Sequence, residues 1–143
     1  MNILLIEDNK ANQLLLQEAF QMVALECHLD AVEDGVEAFS FLRREPPYKN
    51  ALSPDLIFLD LNLPKRNGRQ VLADLKKDEN FSHIPVVILS NSRSPKDVLA
   101  CYKLQACCYL SRPDDFSKLV EMAQSFKDFW GTKVLLSANS RKD

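Results

Sequence analysis

Two short apolar runs in this chain each end in acid. Asn2-Ile3-Leu4-Leu5-Ile6 leads into Glu7-Asp8, and Leu56-Ile57-Phe58-Leu59 leads into Asp60. Apolar runs of four or five residues without polar alternation are the pattern of strands covered on both faces, as in parallel sheets flanked by helices. An acid that closes such a run sits at the carboxyl edge of the sheet, where open α/β folds collect ligands and chemistry.

The rest of the chain alternates in the same way. Asn2–Ile6, Cys27–Val32, Asp55–Leu59, Pro85–Leu89 and Cys107–Leu110 read as strands. Ala11–Val23 reads as a helix on the spacing of Leu14, Leu15, Ala19 and Met22. Asp34-Gly35-Val36-Glu37 has the form of a capping box and opens a helix through about Arg43; Glu45-Pro46-Pro47 ends it, and a surface loop follows to Pro54. Asn67–Lys77 is a third helix, with Val71, Leu72 and Leu75 inward and Lys76-Lys77 in its last turn. Ser94-Pro95-Lys96-Asp97 caps a fourth, with Pro95 at its first position. A last helix starts at Asp114 or Asp115 and runs through Phe116, Leu119, Met122, Phe126 and Trp130.

Five β/α alternations predict a single doubly wound (βα)5 domain, class α/β, over residues 1–130, with 131–143 as a tail. Right-handed crossovers order its parallel five-stranded sheet 2-1-3-4-5. Strands 1 and 3 are then neighbours, and Glu7, Asp8 and Asp60 converge at the switch point.

A net charge of -2 argues against nucleic acid or an anionic membrane as the main partner. No signal segment or membrane span is legible, so a cytoplasmic location is expected. The four cysteines (Cys27, Cys101, Cys107, Cys108) form no C-x-x-C, and His28 and His83 lie at no zinc-ligand spacing from them. Cys27, Cys107 and Cys108 fall in or beside strand-like stretches and read as small reduced hydrophobes.

Three carboxylates packed together repel, and one would have its pKa raised unless a cation compensates. Mg2+ suits two or three carboxylates plus one carbonyl, and the Asn62 backbone carbonyl is the candidate fourth ligand. The plainer reading of Glu7-Asp8-Asn9 is a helix cap; Asp60 reaching the same edge favours a site. Ser90 closes the fourth strand, so its hydroxyl can reach the pocket. Arg112 follows the fifth, and Pro113 can adopt a cis bond that aims the arginine. A guanidinium, a hydroxyl, Mg2+ and an aspartate together suit phosphoryl transfer onto a carboxylate, with Asp60 as nucleophile.

The segments Ile6-Glu7-Asp8-Asn9, Asp55 to Pro64, Gly68, Pro85 to Ser90 and Tyr109-Leu110-Ser111-Arg112-Pro113 occur in this order over residues 2–130. In that order the chain resembles the receiver domain of two-component response regulators, a flavodoxin-like fold. Asp60-Leu61-Asn62-Leu63-Pro64 with Phe129-Trp130 resembles the stand-alone regulators that partner bacterial phytochrome histidine kinases. The resemblance implies that Asp60 accepts phosphate from a kinase histidine. It also implies that Glu7 and Asp8 hold Mg2+ with Asp60 and the Asn62 carbonyl. Ser90 would close on the phosphoryl group, Tyr109 would swing inward behind it, and helix 4, strand 5 and helix 5 would form the readout face. The chain would be a signalling protein rather than an enzyme.

Arg112 stands where the family usually has lysine, and Asn91 is larger than the residue common at its position. Asn91 is expected to narrow water access and slow phosphoryl loss. Phe129 and Trp130 exceed what one helix face buries and predict homodimerisation, with Val134-Leu135-Leu136 contributing. One rival reading is a pseudo-receiver, an interaction module whose pocket Arg112 has disabled. Another is an aspartyl-phosphate phosphatase, which needs a general acid two residues past the nucleophile, where Asn62 stands. Dinucleotide binding fails because three scattered glycines make no G-x-G-x-x-G.

Overall fold

Successive residues of the first strand point to opposite sides of the sheet, and both sides are buried. In the computed structural model, which describes residues 1–137, Ile3 and Leu5 face one helical layer while Leu4 and Ile6 face the other. This is why the run carries no polar alternation. The elements are β1 (Asn2–Ile6), α1 (Lys10–Met22), β2 (His28–Val32), α2 (Gly35–Leu42), β3 (Leu56–Leu59), α3 (Gly68–Lys77), β4 (Val86–Ser90), α4 (Pro95–Lys103), β5 (Cys108–Ser111) and α5 (Phe116–Trp130). All strand pairs are parallel, in the order β2-β1-β3-β4-β5. The predicted fold class and topology are therefore the observed ones.

One core layer packs Leu4, Ile6, Ile57, Leu59, Val86 and Ile88 against α2 and α3, with Cys101 of α4 joining it. The other packs Ile3, Leu5, Phe58, Val87 and Leu89 against α1 and α5. Phe20, Phe58 and Phe126 form its aromatic centre, with ring centroids 5.2 to 6.0 Å apart.

Helix starts follow side-chain capping. Asn9, Asp34, Asn67 and Asp115 each accept a backbone N–H from three residues on, at 2.8 to 3.0 Å. Asp34 works with Glu37, whose carboxylate reaches back to the Glu33 N–H at 2.7 Å. The last helix thus starts after Asp115. Ser94 holds the cap position of α4 without a side-chain cap bond; Pro95 opens that helix, and the neighbouring Ser92 hydroxyl bonds Asp97 at 2.5 Å.

Three expectations need correction. On α1 the buried face is Leu16, Ala19 and Phe20, with Val23 just beyond it; of the residues used to recognise the helix only Ala19 is inside, and Leu14 and Met22 are 61% and 66% exposed. Several leucines crowd this helix, and only one of the two 3.6-residue stripes they allow faces the sheet. Cys107 is exposed, because β5 starts one residue later, whereas Cys101 is buried inside α4. The Arg112–Pro113 bond is trans; the cis bond among the described residues is Pro46–Pro47, in the loop after α2.

Trp130 is half-buried and stacks on Phe126 at 6.0 Å, while Phe129 is exposed. Beyond α5 the chain turns through Thr132 and Lys133, with the Lys133 N–H on the Phe129 carbonyl at 2.9 Å. Of the tail expected over 131–143, residues 138–143 lie outside the described residues. No helix among the described residues is long and apolar enough to cross a membrane.

Candidate functional site

Parallel pairing sets Ile6 opposite Leu59, so the residues that follow them emerge side by side. The Asp60 N–H bonds the Ile6 carbonyl at 3.0 Å and the Glu7 N–H bonds the Val32 carbonyl at 2.9 Å, which extends both ladders by one residue. As a result Glu7, Asp8 and Asp60 each bring a carboxylate oxygen to within 4.8 Å of the others. Glu7 and Asp60 are buried and Asp8 is exposed, which leaves the cluster one open side. Asp8 is not the cap of α1; Asn9 is. The chemistry of this donor set, hard oxygens of like charge in close reach, fits a divalent cation of the Mg2+ or Mn2+ kind.

The segment after β3 is folded tightly under Asp60. The Asn62 N–H donates to Asp60 Oδ1 at 3.3 Å, and the Gly68 N–H to the Leu61 carbonyl at 2.9 Å. A Cβ on Gly68 would lie 2.4 Å from the Asp60 carbonyl oxygen and 2.5 Å from the Leu61 Cα. Only glycine lets α3 start this close to the acidic residue.

Arg112 leaves β5 with its N–H on the Ser90 carbonyl at 2.8 Å, and its Nη2 reaches Glu7 Oε1 at 2.6 Å. Its guanidinium is thus already partnered by one of the three acids. Ser90 is fully buried at the end of β4, its hydroxyl accepting the Ser92 N–H at 3.2 Å. Tyr109 is half-buried under α4. Its hydroxyl donates to the Ser92 carbonyl at 2.8 Å, so the residue behind the site is tied to the same loop as Ser90. Asn91 is exposed and borders a cavity of about 420 Å3 shared with Arg112 and Pro113.

Burial pushes the Glu7 carboxyl up to about 7; the Asn9 N–H pulls it down, the nearby Asp60 charge raises it, and Arg112 lowers it. Asp60 is also raised, by burial first, against the opposing pull of the Asn62 N–H and Arg112. The pair therefore favours holding a proton between its two carboxyls when no divalent charge is present.

The sequence reading missed the residues that hold Glu7. Asn9 N–H donates to Oε2 at 3.1 Å, Asn12 Nδ2 to Oε1 at 3.3 Å, and Gln13 Nε2 to the Glu7 carbonyl at 2.6 Å. The available signal was a run of amides, Asn9, Asn12 and Gln13, in the first turn of a helix that starts beside the acids.

Residues 3–124 match the profile of the response regulator receiver domain. Response regulator Rcp1 of Synechocystis sp. (strain ATCC 27184 / PCC 6803 / Kazusa) is 41% identical over 136 residues, 95% of this chain and 92% of its own. The crystal structure of the Mn2+-bound form of Rcp1 superposes with a TM-score of 0.87, covering 96% of this chain and 99% of that one. The crystal structure of the phosphorylated cyanobacterial phytochrome response regulator RcpA is 42% identical with a TM-score of 0.87, covering 94% of this chain and 96% of its own. With its sequence and its fold matched nearly end to end, the chain belongs to the response regulator receiver family, as a two-component signalling protein related to the phytochrome response regulators Rcp1 and RcpA.

Proposed function

We propose that Asp60 is the phosphoacceptor of this receiver and that a sensor histidine kinase of the phytochrome type is its donor. The observation that carries the reading is the convergence of the Glu7, Asp8 and Asp60 carboxylates within 4.8 Å, with Arg112 buried beside them. An Asp60 carboxylate oxygen attacks phosphorus, an O–P bond forms, and the P–N bond to the kinase imidazole breaks with its electron pair leaving on nitrogen. Glu7, Asp8, Asp60 and the Asn62 carbonyl would hold Mg2+, which would supply charge neutralisation at the phosphoryl oxygens.

Arg112 and the Ser90 hydroxyl contact the transferred group. Arg112 must turn from Glu7 to do so, and the Asn62 N–H keeps Asp60 oriented meanwhile. Ser90 and Tyr109 are the switch pair. The 2.8 Å bond from Tyr109 to the Ser92 carbonyl gives a shift of the Ser90 loop a direct route to α4 and β5. The readout face is α4, β5 and α5. The receiver spans residues 1–130 and acts in the cytoplasm as a homodimer, as a switch rather than a turnover enzyme.

Intact mass after incubation with acetyl phosphate and Mg2+ tests the reading. One phosphoryl group gained by the unaltered chain and lost in Asp60→Asn supports it. A folded chain that gains none is instead an interaction module with Arg112 locked on Glu7, and Arg112→Lys then becomes the informative variant.

A further inference from the structure

Phosphoryl acceptance at Asp60 gives no role to two side chains on the first turn of α1. Asn12 and Gln13 are half-buried there and turn back onto the end of β1 instead of facing solvent. Asn12 Nδ2 donates to Glu7 Oε1 at 3.3 Å, and Gln13 Nε2 donates to the Glu7 main-chain carbonyl at 2.6 Å. The helix start does not need these side chains. Asn9 caps it through the Asn12 backbone N–H, and the Gln13 backbone N–H bonds the Asn9 carbonyl at 3.1 Å. Their side-chain amides are spent on Glu7.

Each Glu7 oxygen thus has a donor: Asn9 N–H on Oε2, Gln13 on the carbonyl, and both Arg112 and Asn12 on Oε1. The two donors on Oε1 differ in kind. Arg112 is a cation with other work at the site, and once it turns to phosphoryl oxygens only Asn12 remains on that atom. A neutral amide suits the position, since it orients a carboxylate without adding positive charge that would oppose a cation.

We propose that Asn12 and Gln13 form a clamp of positioning residues that keeps Glu7 aligned with Asp8 and Asp60 for cation binding, independently of where Arg112 points. The proposal rests on the reading of this edge as a cation-assisted phosphoacceptor site. Residues that orient metal ligands from outside commonly carry about tenfold or more in affinity.

Mn2+ binding to the full chain, followed by electron paramagnetic resonance, tests it in Asn12→Leu, Gln13→Leu, Glu7→Ala and the double variants with Glu7→Ala. Urea unfolding of each variant accompanies the titration. About tenfold weaker Mn2+ binding is expected for Asn12→Leu at an unchanged unfolding midpoint, with Gln13→Leu behaving alike. Asn12→Leu should have no further effect once Glu7 is alanine, whereas Gln13→Leu, whose partner is the main-chain carbonyl, should lose only part of its effect. An equal loss for Asn12→Leu in both backgrounds, or no loss for either substitution beside an intact Glu7, overturns the clamp. If the unaltered chain takes up Mn2+ and a phosphoryl group on Asp60 while Asn12→Leu binds as tightly, the clamp alone fails. If the unaltered chain binds no Mn2+, the phosphoacceptor reading fails with it.

Discussion

The guanidinium of Arg112 and the carboxylate of Glu7 meet at 2.6 Å with 8% and 1% of their side chains exposed. A buried pair of this kind does little for stability relative to apolar residues, yet breaking it strands a charge. Here the stranded charge would stand among two further carboxylates. At pH 8, where Glu7 is ionised, Arg112→Ala should therefore lower metal-free stability by about 3 kcal/mol. Millimolar Mg2+ should recover much of that loss, because the cation replaces the missing positive charge. Urea unfolding with and without Mg2+ reads both effects; an equal loss in the two conditions would mean that Arg112 does not compensate the acid cluster.

The raised carboxyl of Glu7 makes the metal-free protein pH-dependent in a definite direction. Its pKa is near 4.5 when unfolded and is pushed up to about 7 when folded. The folded state therefore binds the proton more tightly. Its contribution to stability is full below about pH 4.5 and is lost as pH rises through 7. Metal binding needs the deprotonated form, so Mg2+ affinity should climb with pH up to about 7 and flatten above, with proton release on binding below it. Melting temperatures from pH 5 to 8 should fall with pH in chelator and fall less, or rise, in Mg2+. Parallel curves would refute the shift.

Gly68 lies against main chain rather than against movable side chains. With a Cβ 2.4 Å from the Asp60 carbonyl oxygen, Gly68→Ala must displace either α3 or the backbone that carries Asp60. Overpacking of this kind costs about 1–3 kcal/mol. Phosphoryl uptake from acetyl phosphate should fall by more than the loss of folded protein explains, because the displaced backbone carries Asp60, the proposed acceptor. Uptake per folded molecule equal to that of the unaltered chain would count against this.

Asn91 is exposed at the rim of a cavity it shares with Arg112, one residue past the buried Ser90. If its side chain screens a phosphoryl group on Asp60 from water, as its size beside Ser90 predicts, shortening it to alanine should speed phosphoryl loss several-fold, on the order of 1 kcal/mol of barrier. The rate is read by following intact mass after the donor is removed. An unchanged rate would show that Asn91 does not screen the bond.

Strand assignments, topology and the acid cluster were legible because each rests on a local rule. Buried parallel strands read as unbroken apolar runs, and a residue that closes one lands on the carboxyl edge. The burial face of α1 was not legible, because Leu14, Leu15, Leu16 and Met22 support two stripes and only packing against β1 and α5 selects the one with Leu16. The partner of Arg112 was not legible either. Its contact with Glu7 spans 105 positions and depends on side-chain reach across β5, β4, β3 and β1, not on any spacing. Asn12 and Gln13 escaped notice because amides on an exposed helix turn ordinarily face water.

Self-association through the end of α5, which the aromatic pair predicts, is best tested at Phe129, not Trp130. Phe129 is 56% exposed, and Leu99 and Tyr102 on α4 are also exposed. Beside β5, the edge strand of the sheet, lies an apolar notch of about 180 Å3 lined by Val87, Cys108, Leu110, Met122 and the end of α5. Trp130 also borders this notch, but it stacks on Phe126 and packs against the α1–α5 layer. Its removal therefore changes the core and the surface together. Trp130→Ala should cost about 2 kcal/mol of stability, less than the loss of a fully buried aromatic, whatever the assembly does. Phe129→Ser removes exposed apolar area and should leave the unfolding midpoint within about 0.5 kcal/mol. Sedimentation velocity should then show the unaltered chain as a dimer and Phe129→Ser shifted towards monomer. A dimer of undiminished affinity in Phe129→Ser would place the interface elsewhere, and a monomeric unaltered chain would remove it.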